Sequence, residues 1–332
     1  MDKNSPIFET ENTQNAPRRK TLRAIALLLL LAVGVWVNTL RPAPNVKARE
    51  ATGELKIVDT SEGSFAYRRA GSRPCLVLLP IAGREGSDFN ELVTELTSKG
   101  YQTITIDAGG TGQSALGLAE DFYNAAYTIE IINAKECGYQ QPMILLGHAY
   151  GNRVVRSHTS QSKTFNSFDV GLLDIPTQAA NITAVILLAA GGQVPPEPEA
   201  NAALKRIFNP LKSYRSRMKD VQYAFFAEGN DIPPHWKRGW HSKTAIAQGK
   251  AKGDGDDSWH CAGGVPMLIV QPMQDKIAPP ANAYALKEKC PQEVDIVEIQ
   301  NAGHALLPEQ PEAVAKAVLD FLAKHHPADK KN

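Results

Sequence analysis

Three separated positions carry the residue types of acyl-transfer chemistry. The first is Gly147-His148-Ala149-Tyr150-Gly151, which follows an apolar run and opens an amphipathic stretch. Glycines at both flanks give the backbone room for a sharp strand-to-helix turn. Such a turn lifts its middle side chain clear of the strand end, at a helix N-terminus whose dipole favours developing negative charge. A serine or aspartate there would be a nucleophile. This chain has Ala149, a methyl group with no lone pair. The second position is Asp275, just past the apolar run Pro266 to Gln271, and the third is His304, within Asn301-Ala302-Gly303-His304-Ala305. A carboxylate that accepts from one imidazole nitrogen fixes the tautomer, so that the other nitrogen can act as a base. Either residue alone reads as an ordinary loop side chain. They follow the turn at steps of 126 and 29 residues.

Strands and helices must alternate to bring these loops together. Short apolar runs predict strands near 54–59, 64–69, 75–79, 102–106, 143–146, 184–189, 266–271 and 294–299. Amphipathic stretches predict helices over 87–99, 121–136, 151–160, 281–289 and 311–325. The runs Leu76-Val77-Leu78-Leu79, Ile144-Leu145-Leu146 and Val185-Ile186-Leu187-Leu188 show no alternation, as strands buried on both faces require. The pattern is α/β: two antiparallel strands leading into parallel β-α units, an eight-stranded and mostly parallel sheet. Residues 193–264 break the rhythm, open with Pro195-Pro196-Glu197-Pro198 and hold three of the four tryptophans. They read as a helical cap over the carboxyl edge of the sheet, with Trp236, Trp240, Trp259, Phe225 and Phe226 as its core. Residues 161–183 read as an extra loop between helix and strand.

With these elements in place, residues 54–323 resemble the α/β hydrolases of the esterase, lipase and epoxide-hydrolase-like group. The turn at 147–151 stands where that family has its G-x-S-x-G nucleophile elbow, and the order elbow, acid, histidine is the family's order. Asp107-Ala108-Gly109-Gly110-Thr111-Gly112-Gln113-Ser114 is similar to the family's D-x-R-G-x-G-x-S turn, with Gly109 in place of arginine. Ser114 is the nearest alternative hydroxyl, and family serines there support the turn. Where members carry His-Gly after the third strand, this chain has Pro80-Ile81-Ala82-Gly83. The resemblance implies an oxyanion hole of backbone donors at Ala82 and Tyr150, which survive side-chain substitution. It implies catalytic roles for Asp275 and His304, an alanine at the nucleophile position, a small apolar substrate beneath the cap, and no cofactor. Without the serine, binding and the oxyanion hole leave acceleration on the order of 10³–10⁴ over water. Two functions stay open: a hydrolase that polarises water through an Asp275–His304 dyad, or a pseudoenzyme that binds a small apolar molecule or a partner.

Composition excludes other classes. Thirty-six basic against 35 acidic residues argue against nucleic-acid binding. His235, His241, His260 and the acidic cluster at 254–257 match no metal-ligand spacing. His148 reads as a core side chain. Residues 1–23 read as a disordered cytoplasmic head with a basic cluster at Arg18, Arg19, Lys20 and Arg23. The fourteen apolar residues from Ala24 to Val37, extended through Leu40, predict a membrane anchor over 24–40 with the remainder exported, or a signal segment cleaved on secretion. Residues 41–53 read as a linker and 326–332 as a tail. Four cysteines allow three pairings. The strand order of the resembled family selects Cys75–Cys137 with Cys261–Cys290; the alternative is four unrelated buried thiols.

Overall fold

The apolar runs without alternation form the middle of one eight-stranded sheet. In a computed structural model, which describes residues 16–40, 49–60, 63–115, 128–138, 140–164, 180–251 and 258–327, the strands are β1 (Glu54–Thr60), β2 (Gly63–Ala70), β3 (Cys75–Leu79), β4 (Gln102–Ile106), β5 (Met143–His148), β6 (Ile182–Leu188), β7 (Met267–Pro272) and β8 (Val294–Ile299). Their order is β1-β2-β4-β3-β5-β6-β7-β8. The first two pairings, β1 with β2 and β2 with β4, are antiparallel; every later one is parallel. β3, β4, β5 and β7 are buried along their whole length.

The described helices are α1 (Ala16–Leu40), α2 (Asn90–Ser98), α3 (the helix described over 128–137, closing in a π-turn), α4 (Tyr150–Thr164), α5 (Pro198–Ile207), α6 (Tyr214–Phe225), α7 (Ser242–Lys250), α8 (Ala281–Lys289), α9 (Leu306–Glu309) and α10 (Pro311–His325), and some of them cover the two faces of the sheet. One apolar layer joins the sheet to α4 and α8 through residues such as Val77, Leu145, Val154 and Leu286. The other joins it to α2 and α10 through Leu76, Leu146, Leu92 and Val318. A third cluster combines Ile81 and Ala305 from the carboxyl edge with Ala203, Val221, Phe225 and Trp236 from the 193–251 segment. That segment therefore lies over the loops that carry the candidate chemistry.

Several expectations are corrected. Helix α1 begins at Ala16, so the head is not disordered up to residue 23; Ala, Arg, Lys and Leu are all strong helix formers, and the apolar run propagates back through the basic cluster. The leucines from Leu27 to Leu31 are exposed, and α1 contributes nothing to the described core clusters. Yet no helix among the described residues is long and apolar enough to cross a membrane, which corrects the anchor over 24–40. The fourteen uninterrupted apolar residues rise about 21 Å, short of the roughly 30 Å of a hydrocarbon core. Trp259 is not in the core of the covering segment. It lies on the Arg156 guanidinium, 4.8 Å from ring centroid to Cζ, so the 3-10 turn Ser258–Gly264 packs on α4 instead. The expectations for residues 1–15, 41–48, 121–127, 165–179, 254–257 and 328–332 fall outside the described residues.

Both cysteine pairs are bridged: Cys75–Cys137 with Cα atoms 5.8 Å apart and Cys261–Cys290 with Cα atoms 5.6 Å apart. Register explains the pairing, because Cys75 opens β3 beside Met143 of β5, and α3 delivers Cys137 just ahead of that strand. The bonds close loops with sequence separations of 62 and 29 residues. Loop-closure entropy then predicts losses of about 4 and about 3.5 kcal/mol on replacing each pair by serines. Urea unfolding of the two double-serine variants beside the wild type should show the larger loss at Cys75–Cys137.

Candidate active site

The 147–151 turn is built by close packing of backbone. A methyl group added at Gly147 would come 2.3 Å from the Gly151 carbonyl carbon, and one at Gly151 would come 2.4 Å from the Leu79 carbonyl oxygen. Only glycines let α4 cross so near the ends of β3 and β5. Ala149 between them has φ +50°, a left-handed conformation that L residues with a side chain rarely adopt. It is held there from several directions. The Ala149 amide donates to the Leu188 carbonyl at 3.1 Å, its own carbonyl accepts from the Asn152 amide at 3.1 Å, and the Asn152 side chain donates to the Leu188 carbonyl at 2.8 Å. The Ala149 methyl packs against the apolar cluster that includes Ala305 and Phe225.

Asp275 and His304 meet as expected. His304 Nδ1 lies 2.7 Å from Asp275 Oδ2, and the two residues are 3% and 2% exposed. An ionised carboxylate can only accept, so Nδ1 carries the proton and Nε2 of the neutral ring keeps a lone pair. The other oxygen of Asp275 accepts from the amides of Ile277 and Ala278, each at 2.8 Å. One oxygen thus holds the loop and the other holds the imidazole.

The loop before His304 is fitted to the end of α6. A methyl at Gly303 would come 2.7 Å from the Phe225 carbonyl oxygen, and the Ala305 amide donates to that carbonyl at 2.8 Å. Glu309 clamps the same junction, accepting from the Ala227 amide, the Asn230 side chain and the Gly303 amide, each at 2.7 Å. Burial pushes its carboxyl above the usual range, against those three hydrogen bonds. Nothing local in the sequence marks Glu309 for this work, since two of its three partners, Ala227 and Asn230, lie in the turn after α6.

His148 is fully buried and its Nε2 donates to the His304 carbonyl at 2.8 Å. Burial first, then proximity to His304, pushes its pKa from 6.5 to about 3, so it stays neutral. Below pH 6.5 the unfolded chain takes up a proton at this histidine and the native state does not until about pH 3. Stability should therefore fall as pH drops through that window, by roughly 5 kcal/mol from this group at the acid end. Substitution His148→Gln, which keeps a donor and removes the titration, should flatten the acid limb in urea unfolding series run from pH 7 to pH 4.

The loop after β3 carries Ala82, one of the two positions expected as backbone donors. Ala82 lies in the turn between Ile81 and Gly83, and Tyr150 is the first residue of α4, ahead of the helix's own hydrogen-bond ladder and at its positive end. Helix α7 seals this loop. The Gly83 amide donates to Gln248 Oε1 at 2.8 Å, the His241 amide donates to the Gly83 carbonyl at 2.9 Å, and Thr244 Oγ1 donates to the Gly109 carbonyl at 2.9 Å. Gly83 has φ +67°, and an added methyl would press on Ala245 at 2.7 Å.

Sequence reasoning missed Arg84. It is 2% exposed, grips Asp88 with two hydrogen bonds of 2.8 and 2.6 Å, and donates to the carbonyls of Arg238 and Gly239. Its guanidinium lies over the rings of Trp236 and Trp240 at 4.3 and 4.8 Å. The i,i+4 spacing of Arg84 and Asp88 is visible in the sequence, but the covering segment that buries them is not.

Ser114 is a turn residue. Its hydroxyl accepts from the Ala66 amide at 2.8 Å and donates to the Asp107 carbonyl at 2.7 Å. The three histidines considered as metal ligands do not converge: His241 pairs with Glu85 at 2.6 Å, and His260 stacks on Trp259. Among the described residues no group of three His, Cys, Asp or Glu side chains could hold a metal ion.

The sheet order, the left-handed residue at the end of β5 and the acid–histidine pair at the carboxyl ends of β7 and β8 define the α/β hydrolase architecture. A sequence profile of the alpha/beta hydrolase family matches residues 76–317, and the chain belongs to that family. No curated protein matches it significantly. Among solved structures, the chain is similar to a thermophilic esterase from Thermogutta terrifontis, at TM-score 0.65 and 19% identity over 82% of this chain and 100% of that one. It is similar to carboxylesterase CesB from Bacillus subtilis, at TM-score 0.65 and 16% identity over 89% and 98%. It is also similar to a membrane phospholipase A described as a bacterial virulence factor, at TM-score 0.64 and 18% identity over 93% and 100%. At these identities the likeness is one of fold.

Proposed function

We propose that this protein hydrolyses an ester-like bond in a small apolar substrate, with His304 oriented by Asp275 as the base that activates water. The observation that carries the reading is the 2.7 Å contact between the two buried side chains, which leaves Nε2 as the only lone pair on the ring. The backbone amides of Ala82 and Tyr150 are the donors for the developing oxyanion. Water replaces a side-chain nucleophile, because Ala149 can form no covalent intermediate. The acyl or alcohol group lies under Phe208, Phe225 and Trp240, which share the apolar cluster at Ala149. Esterase-type relatives of the same fold support the reaction class.

The test is hydrolysis of a short aryl ester by the purified chain. Turnover on the order of 10³–10⁴ above the water rate is expected, with loss to background in His304→Gln. Equal rates for the two proteins would leave the second reading, a pseudoenzyme that binds an apolar ligand in the same place, which the methyl group of Ala149 favours. The folded domain works outside the cytoplasm on this reading. Two disulfide bonds support export, and the fourteen-residue apolar run has the length of a signal segment. Accessibility of a tag after residue 327 to protease added outside the cytoplasmic membrane, on intact cells and on cells whose outer layer has been opened, tests it, protection in both being the result that defeats periplasmic or extracellular export.

A further inference from the structure

On the outer side of α6 lies a groove of about 950 Å³ whose described lining includes neither Ala149, Asp275 nor His304. We propose that it binds a single-chain anionic amphiphile, an aliphatic carboxylate. The helix builds the groove by its own periodicity. Val221, Ala224 and Phe225 face inward to the cluster over the candidate active site, while Arg215, Met218, Lys219 and Gln222 fall on the open side. Met218, Phe226 and Ile232 make an apolar floor and belong to that same cluster. A methionine in such a floor adapts to chains of different length.

The rim is cationic. Arg215, Lys219, Lys237 and Lys276 line the groove against one carboxylate, Glu228, in a chain whose formal charge is only +1. On the other side of the same segment, Arg206 is neutralised by Asp220 and Glu199 at 2.7 and 2.6 Å. Among the described residues Arg215, Lys219 and Lys237 have no acid within ion-pair distance, and Lys276 lies over the Tyr223 ring at 4.2 Å. An apolar floor without matching anions selects a ligand that brings both parts: a chain for the floor and a carboxylate for the rim. A small hydrophilic anion would leave the floor wet, and a cationic amphiphile would meet like charge.

The occupant is a dissolved monomer and not a bilayer surface, because a single chain can lie along an apolar floor below the surrounding surface and a planar headgroup layer cannot reach into it. Occupancy would also reach the active-site frame, since Lys276 follows Asp275 and Phe226 follows Phe225 in the chain.

Titration calorimetry on the full-length protein tests this without turnover, so its failure leaves the hydrolase reading untouched. Decanoate below its micellar concentration should bind, with affinity rising roughly threefold or more per methylene across hexanoate, octanoate and decanoate. Decyltrimethylammonium should bind at least tenfold more weakly. The double variant Arg215→Glu with Lys219→Glu changes two exposed positions of α6. It should keep its circular dichroism spectrum and lose decanoate affinity by tenfold or more. The proposal is overturned by equal affinity for the two headgroups, by no dependence on chain length, by unchanged binding in the variant, or by no binding at all. It is equally overturned if phosphatidylglycerol vesicles capture the protein while monomeric decanoate does not bind.

Discussion

Ala149→Ser is expected to raise hydrolysis of a short aryl ester by a factor on the order of 10³ or more over the wild-type chain. The backbone needs no change, since residue 149 already has φ +50° and is held by the Leu188 carbonyl and the Asn152 amide. The substitution adds one oxygen atom at the end of β5, over the N-terminus of α4. If His304 Nε2 faces that position, the imidazole removes the hydroxyl proton, the alkoxide attacks the carbonyl, and the acyl group passes to the enzyme before water releases it. Losses of this size on removing a serine nucleophile from an intact triad are general, and the gain on restoring one should be comparable in kind. Burst kinetics with a p-nitrophenyl ester would show the acyl-enzyme, and the further change His304→Gln should lower the rate to that of the His304→Gln single variant. A serine variant with no gain, in a folded protein, would mean that the dyad does not face the elbow and would defeat the proposed function.

A large stability effect at neutral pH is expected at Arg84. Arg84→Met removes the cation that, among the described residues, pairs with the buried Asp88 carboxylate, whose side chain is 1% exposed and its partner's 3% exposed. Leaving a buried charge unpaired costs about 3–5 kcal/mol, which corresponds to a fall of roughly 10 °C in Tm for a domain of this size. The loss includes more than the ion pair, because the same guanidinium ties the loop after β3 to the carbonyls of Arg238 and Gly239 and to the faces of Trp236 and Trp240. Two measurements separate these parts. Adding Asp88→Leu should recover the cost of the unpaired charge, while limited proteolysis within 193–251 should stay faster than in the wild type because the tie to the covering helices is still missing. Full recovery of both would show that Arg84 serves Asp88 alone.

The sequence by itself determined the strands, their α/β arrangement and the order in which Ala149, Asp275 and His304 arrive at one edge. These are legible because each rests on a local rule. An apolar run without alternation marks a strand buried on both faces, as Cys75–Leu79 of β3 and Met143–Leu146 of β5 do, and a turn that brings two backbones within contact must have glycine, as Gly147 and Gly151 do. Once the strand order followed from the family resemblance, even the cysteine pairing followed, since neighbouring strands place their preceding residues side by side. Only the tertiary structure decided what surrounds those residues. Arg84 meets residues 154 and 155 positions away, Glu309 meets the end of α6 some 80 positions away, and His148 is held by the carbonyl of the very histidine whose loop it supports, 156 positions on. Trp259, so close in sequence to Trp236 and Trp240, went to α4 and not to the cluster they share. Periodicity records which face of an element is apolar, but not which distant element covers that face, and a buried charge leaves no local mark because its partner is chosen by the packing.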